Sequence, residues 1–260
     1  MSQIYVFGPY NSGTNIIDKV LTRCKCINKT TSQSIFNATP KINAAPIWKH
    51  TIKKPELQKI INNPNNIVIF MYKNIYNWIS SIQKSPYNIK FKNTDKREML
   101  NNNIILAEPQ FNYNHTFGNI IHLYNLYYSN YLSLLVEHPK NVIFLDYYKI
   151  INRDTSFNYL NDKLNAVHLK IVNECEFLNI LSVPSKSHGL SVKNSQEAYS
   201  KYMSTNIRIK IYLLNKTKIH EYVNNNIIHY FENTEDNNVI NVESSVENVE
   251  VVEVVCVELN

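Results

Sequence analysis

Glycine is scarce in this chain, with four among 260 residues. Two of the four, Gly8 and Gly13, bound a short loop that follows the apolar run Ile4–Phe7 and precedes a helical apolar spacing over Ile16–Leu21. A strand, a glycine-bounded loop and a helix together form the geometry that encloses a phosphate, because backbone N–H groups and the helix N-terminus converge on the anion. A strand-turn-helix without any ligand is the alternative interpretation.

The chain lacks the lysine of the Walker A pattern. Gly8 and Gly13 have the required spacing, but Thr14 occupies the position of that lysine. Because the Walker lysine contacts the β- and γ-phosphates of a nucleotide, its absence disfavours an ATPase or a nucleotide kinase.

The sequence also lacks metal, membrane and secretion signals. Cys24 and Cys26 are too close in sequence for a zinc pair, and Cys175 and Cys256 are distant from both. We expect reduced thiols and no metal. The longest apolar run, Ile67–Tyr72, is too short to span a bilayer, and no signal-peptide pattern precedes the first strand. These features predict a cytoplasmic protein without a membrane partner.

Acidic residues are unevenly distributed along the chain. Residues 232–260 contain eight of the 21 acids and no base, so 27 bases face 13 acids in the remainder. Such a basic body favours an anionic ligand, although no motif of specific nucleic-acid binding is present. We predict one α/β domain over residues 1–231. The Val/Glu-rich composition of 232–260 predicts a disordered tail, with an edge strand as the alternative.

Strong strand signals alternate with helical ones. Ile67–Tyr72 is continuously apolar, like Ile4–Phe7, and Asn141–Asp146 contains the apolar run Val142–Leu145. Such runs are typical of strands buried on both faces of a parallel sheet. The pattern predicts an α/β fold, a three-layer parallel sheet with helices on both faces. Expected helices are Pro55–Ile61, Ile75–Ile82, part of 96–106, Asn119–Glu137, Ser156–Leu164, Ser195–Met203 and Ile207–Tyr230; a short strand is expected over Pro46–Thr51.

Ligands of parallel sheets bind beyond the carboxyl ends of the strands. The loop after Phe7, the pair Lys49 and His50, and Lys73 after the next strand should therefore lie on one side of the sheet. Asp146 ends the third strand, and we expect it to cap a helix. We expect Trp78 in the core.

Four segments, in this order, resemble the P-loop sulfotransferases, which use 3′-phosphoadenosine 5′-phosphosulfate (PAPS) as donor. Gly8–Asn15 is similar to the family's 5′-phosphosulfate loop, and Ile47–His50 to the segment with its catalytic histidine. Ile67–Ser81 resembles the 3′-phosphate motif of strand, Arg-Asn pair and helix serine, and Val142–Ile150 resembles the strand and helix V-x-Y-E-D-L. The resemblance implies a P-loop NTPase-like fold of the sulfotransferase type.

The resemblance also implies a function and its residues. Sulfuryl transfer from PAPS to a hydroxyl or amine of a small-molecule or glycan acceptor needs no metal. His50 would act as the base, and Lys49 would stabilise the leaving phosphate. The donor-binding residues implied are Asn11, Ser12, Gly13, Thr14 and Asn15 in the loop, Lys73 and Ser81 at the 3′-phosphate, and Lys193 in a late loop.

Two positions depart from the family's pattern. Asn11 stands where a lysine or arginine usually precedes S-G-T, and an amide supplies hydrogen bonds but no charge. Lys73 replaces an arginine and so lacks the bidentate fork. These departures support an alternative function: a catalytically impaired protein of the same fold that binds a nucleotide, a glycan or a protein partner.

Overall fold

A computed structural model of the chain describes residues 3–24, 26–28, 47–91, 99–108, 113–138 and 140–182. All of them belong to Met1–Val223, the first of the two units into which the chain divides. The predicted tail 232–260, the predicted helices Ser195–Met203 and Ile207–Tyr230, and Lys193 lie outside the described residues.

The described part alternates helices and strands. In chain order the elements are β1 (Gln3–Phe7), α1 (Thr14–Arg23), β2 (Cys26–Asn28), α2 (Lys54–Ile61), β3 (Asn66–Tyr72), α3 (Ile75–Lys84), β4 (Ile89–Phe91), β5 (Ile104–Glu108), β6 (Tyr113–Phe117), α4 (Ile120–Glu137), β7 (Val142–Asp146), α5 (Tyr147–Ile151), α6 (Ser156–Asn165), β8 (Leu169–Ile171) and α7 (Glu174–Ser182).

The central sheet is parallel, with strand order β1-β3-β7. Its register places Phe7 beside Phe70 and Tyr72 beside Asp146, so the carboxyl ends of the three strands lie at one edge. All seven residues of β3 are buried, as expected for a middle strand covered on both faces. The three apolar strands predicted from the sequence are confirmed, and so is the α/β class.

Helices pack on both faces of this sheet. On one face, Val6 and Ile69 belong to a core cluster with residues of α1, α6 and α7. On the other face, the ring of Phe70 stacks on Tyr131 of α4, with ring centroids 4.1 Å apart. The layered arrangement follows from the burial of apolar side chains on alternate sides of each strand.

The segment Lys84–Phe117 differs from its prediction. We expected some helix within 96–106, but the described part of this segment contains the antiparallel sheet β4-β5-β6. In β5, Ile104, Leu106 and Glu108 are buried while the residues between them are partly exposed. This period of two is typical of a strand, so the helix prediction is wrong for the described residues.

The expected strand over Pro46–Thr51 is also wrong. Residues 47–51 form a turn, in which the N–H of Thr51 donates to the carbonyl of Trp48 at 3.0 Å. The antiparallel pair of β2 and β8 was not predicted, because three-residue strands carry too little periodicity. Cys24, Cys26 and Cys175 are free thiols, as expected. No helix among the described residues is both long and apolar enough to cross a lipid bilayer.

We predict that Phe70→Ala lowers the free energy of unfolding by about 3–5 kcal/mol, because it leaves a cavity in the middle strand. The measurement is urea unfolding followed by circular dichroism. Val136→Ala on α4 is the matched control, since Val136 is 68% exposed, and its expected change is within about 0.5 kcal/mol. Equal losses in the two variants would contradict the arrangement of the core.

Candidate functional site

The segment between β1 and α1 is a tight loop that packs on β3. A Cβ at Gly8 would lie 2.4 Å from Ser12 Oγ and 2.9 Å from Met71 Cβ, so a side chain there would collide with both the loop and the sheet. Ser12 is fully buried. Its hydroxyl and its N–H both donate to the carbonyl of Pro9, at 2.7 and 3.2 Å. Ser12 therefore stabilises the conformation of the loop through hydrogen bonds within it.

Two residues of the loop have a left-handed backbone. The φ angles are 59° at Asn11 and 94° at Gly13, a conformation that glycine and asparagine adopt most readily. Gly13 is the N-cap of α1. Within the described part of the chain, no acceptor bonds to the backbone N–H groups of Gly13, Thr14 or Asn15. These donors at a helix N-terminus form a site suited to an anion.

Lys73 follows β3, and its side chain extends to the loop. Its Nζ donates to the carbonyl of Asn11 at 3.1 Å and to Ser81 Oγ at 2.8 Å. The same nitrogen lies 4.5 Å from the centroid of the Tyr147 ring. Asn11 of the first predicted segment is therefore in contact with Lys73, and Lys73 with Ser81, of the segment Ile67–Ser81.

Lys73 is buried, with 6% of its surface exposed. Burial, with a smaller contribution from the nearby positive charge of Lys84, lowers the pKa of Lys73 to about 7. Near neutral pH the side chain is thus divided between ammonium and neutral amine. An anion beside Nζ would favour the ammonium, so anion binding and protonation of Lys73 are coupled.

The amide of Asn11 connects the loop to α3. Asn11 Nδ2 donates to the carbonyl of Ser85 at 2.9 Å, and Ser81 Oγ donates to the carbonyl of Asn77 at 2.9 Å. Both amide atoms of the Asn77 side chain are buried, and neither has a hydrogen-bond partner within the described part of the chain. The amide of Asn11 therefore supports the loop by a hydrogen bond to the end of α3.

His50 lies among aromatic rings and is 8% exposed. Its Nδ1 is 2.7 Å from the carbonyl oxygen of Gly8. Since a carbonyl only accepts, Nδ1 carries the proton of the neutral ring, and Nε2 is the basic atom. The ring centroid of Tyr10 lies 4.3 Å from that of His50, and Trp48 packs against His50 at 89°. The tautomer and the plane of the ring are thus both defined.

Lys49 joins the same loop from the other side. Its Nζ donates to Asn15 Oδ1, and its carbonyl accepts the N–H of Gly8 at 3.1 Å. The predicted residues of three segments, 8–15, 49–50 and 73–81, consequently adjoin one another at the carboxyl edge of the sheet.

Two aromatic residues of the site were not predicted from the sequence. Tyr147 packs on the loop, where a Cβ at Gly13 would lie 2.5 Å from its ring. The ring of Tyr10 packs against His50 at a tilt of 30°, and the carbonyl of Tyr10 accepts a hydrogen bond from Trp78 Nε1 at 2.7 Å. The position of Tyr147, directly after the third strand, was a signal for it. The chain is too rich in tyrosine for residue type alone to mark these two.

Two expectations about the flanking residues are confirmed. Asp146 Oδ1 accepts the N–H of Tyr148 at 2.8 Å and so caps α5. Burial raises the pKa of Asp146 to about 6, although the hydrogen bond from Tyr148 opposes this shift. Trp78 is completely buried in the core.

No protein-family model matches this chain, and no curated protein matches it significantly. The functional interpretation therefore depends on the residues and contacts described above.

We predict that Lys73→Met changes how stability depends on pH. The pKa of Lys73 falls from 10.5 to about 7 on folding, so between these values the unfolded state binds more protons and stability rises with pH. Relative to Lys73→Met, the wild type should gain on the order of 3 kcal/mol of unfolding free energy between about pH 6 and pH 9. Urea unfolding at several pH values measures this difference.

Lys59→Met is the matched control, because the Lys59 side chain is 72% exposed on α2. Lys59→Met removes the same positive charge, but from an exposed side chain instead of a buried one. If the unfolding free energies of the wild type and of Lys73→Met changed with pH in parallel, Lys73 would be protonated over the whole pH range, which would contradict the prediction.

Proposed function

We propose that this protein is a sulfotransferase of the P-loop type, which transfers a sulfuryl group from PAPS to a hydroxyl or amine of a small-molecule or glycan acceptor. The observation that carries the proposal is the 2.8 Å contact between Lys73 Nζ and Ser81 Oγ, beside the carbonyl of Asn11. These residues match the 3′-phosphate motif in the sequence, and their side chains meet next to the loop that matches the 5′-phosphosulfate motif.

The donors of the site suit a ligand with two separate anionic groups. Lys73 makes no ion pair within the described residues, so its buried ammonium lacks a negative partner that a 3′-phosphate would supply. The backbone N–H groups of Gly13, Thr14 and Asn15 form a second set of donors for the 5′ end. The parallel sheet, with this loop directly after its first strand, supports the finer assignment of a P-loop NTPase-like fold.

The roles proposed for the other residues are those that the resemblance implies, and their contacts are compatible with them. PAPS, when bound, supplies the sulfuryl group. His50 Nε2 removes the proton of the acceptor, while the Gly8 carbonyl holds the tautomer through Nδ1. Lys49, held at the loop by Asn15, places a positive charge where the leaving phosphate gains negative charge. Catalysis of this kind depends mostly on position and electrostatics.

Two observations favour the alternative, a catalytically impaired protein of the same fold. The amide of Asn11 is directed to the Ser85 carbonyl and adds no charge to the loop. Lys73 is also partly neutral near pH 7, because burial lowers its pKa. Nucleotide binding without transfer would fit these two features.

We predict that adenosine 3′,5′-bisphosphate stabilises the protein and that ATP does so less. At a hundredfold excess over Kd, the expected gain is about 2.7 kcal/mol, a rise in melting temperature of roughly 5–10 °C. Ser81→Ala should reduce this shift, because it removes the hydroxyl that contacts Lys73 Nζ. Ser80→Ala, at the buried neighbouring position on the same helix, is the matched control. A preference for ATP would refute both candidate functions.

We predict that the protein transfers sulfate from labelled PAPS to members of a panel of glycans and small alcohols. His50→Ala should lower kcat/KM by about 10²–10⁴-fold, the usual contribution of a general base. His122→Ala on α4 removes an exposed histidine and is the control. Bisphosphate binding without any transfer would support the impaired alternative, and transfer that survives His50→Ala would show that the base is another residue.

A further inference from the structure

One face of α4 carries four tyrosines at successive helical positions. Tyr124, Tyr127, Tyr128 and Tyr131 are spaced i, i+3, i+4 and i+7, and none is more than 1% exposed. Phenylalanine would fill nearly the same volume, and a buried hydroxyl is costly unless it is hydrogen-bonded. The hydroxyl groups, rather than the rings, therefore call for an explanation.

Two of these hydroxyls hold the main chain at Lys73. Tyr124 Oη donates to the carbonyl of Lys73 at 3.0 Å, and the N–H of Lys73 donates to Tyr128 Oη at 3.1 Å. Tyr128 Oη in turn donates to the carbonyl of Met71 at 3.2 Å. Lys73 lies just beyond β3, and these two tyrosines bond the main-chain polar groups that strand pairing would otherwise satisfy.

A third hydroxyl of the same helix holds the main chain at His50. Tyr127 Oη donates to the carbonyl of His50 at 2.7 Å. One turn further along α4, Asn130 Nδ2 donates to the carbonyl of Ile52 at 2.8 Å. The turn that carries the candidate base is therefore bonded to the helix that also holds Lys73.

We propose that Tyr124, Tyr127 and Tyr128 are positioning residues, which fix the separation of His50 and Lys73 through hydrogen bonds to their main chains. This inference rests on the proposed function, in which the His50 side chain acts on the acceptor and the Lys73 side chain binds the donor. A helix is a rigid support, and such sites need their groups held within about 0.5 Å of the productive geometry.

Tyr131 offers a matched control for each of these positions. It lies on the same face of α4 and is completely buried. Its hydroxyl has no hydrogen-bond partner within the described residues, and its ring stacks on Phe70, away from both main-chain segments. Tyr131→Phe therefore makes the same chemical change without removing a bond to the site.

The first test compares the four Tyr→Phe variants in titration with adenosine 3′,5′-bisphosphate and in transfer kinetics. Tyr124→Phe and Tyr128→Phe should each raise the Kd of the bisphosphate about tenfold, because the main chain of Lys73 loses a buried bond. Tyr127→Phe should lower kcat about tenfold and leave that Kd unchanged. Tyr131→Phe should alter neither. If either lysine-linked variant does not fold, the other reports on the same residue.

The second test needs no ligand. The ¹⁵N signals of the His50 ring and the ¹³Cε titration of Lys73 are followed by NMR in each variant. Tyr127→Phe should shift the His50 signals only, and Tyr124→Phe or Tyr128→Phe those of Lys73 only. Spectra indistinguishable from those of Tyr131→Phe would overturn the inference. If the wild type binds no bisphosphate, the proposed function fails, while these spectra still decide whether the tyrosines position the two residues.

Discussion

The candidate site depends on the buried amino group of Lys73. This one nitrogen contacts the loop through the carbonyl of Asn11, α3 through Ser81, and the ring of Tyr147 after the third strand. Burial makes the charged form costly, because water is excluded and no carboxylate pairs with Lys73 among the described residues. The contacts of Lys73 Nζ thus join the segments that follow the three strands. They also hold a positive charge, without a negative partner in the described part of the chain, at the place where an anion would bind.

Aromatic side chains give this arrangement its rigidity. The rings of α4 supply a large buried area against β3, while their hydroxyls bond the main chain at the ends of the segments that carry Lys73 and His50. Tyr10 similarly defines the plane of the His50 ring. A chain with so few glycines keeps two of them where the loop approaches Met71 and Tyr147 most closely. The same elements are therefore stabilised both by the packing of aromatic rings and by hydrogen bonds to buried main-chain groups.

The predictive power of the sequence differed between the core sheet and the rest of the fold. Strands β1, β3 and β7 each contain a continuous apolar run. Such a run is stable only where both faces of the strand are buried, as in the middle of a covered parallel sheet. The helix expected within 96–106 is wrong for the described residues, where β5 begins at Ile104; the buried positions of β5 include a charged residue, Glu108. The Thr51 hydroxyl and the N–H of Ile52 donate to that carboxylate, and Lys53 Nζ lies 4.0 Å from it; these partners are distant from Glu108 in sequence.

The sequence by itself determined where the three core strands lie along the chain, the glycine-bounded loop and the residue types that follow each strand. These features are local, and periodicity and turn chemistry specify them. Only the tertiary structure decided that Lys73 is buried against Ser81, that the Nδ1 of His50 is bonded to Gly8, and that hydroxyls of α4 hold both segments. The environment that lowers the pKa of Lys73 is formed by several elements together, and no local pattern encodes such long-range packing.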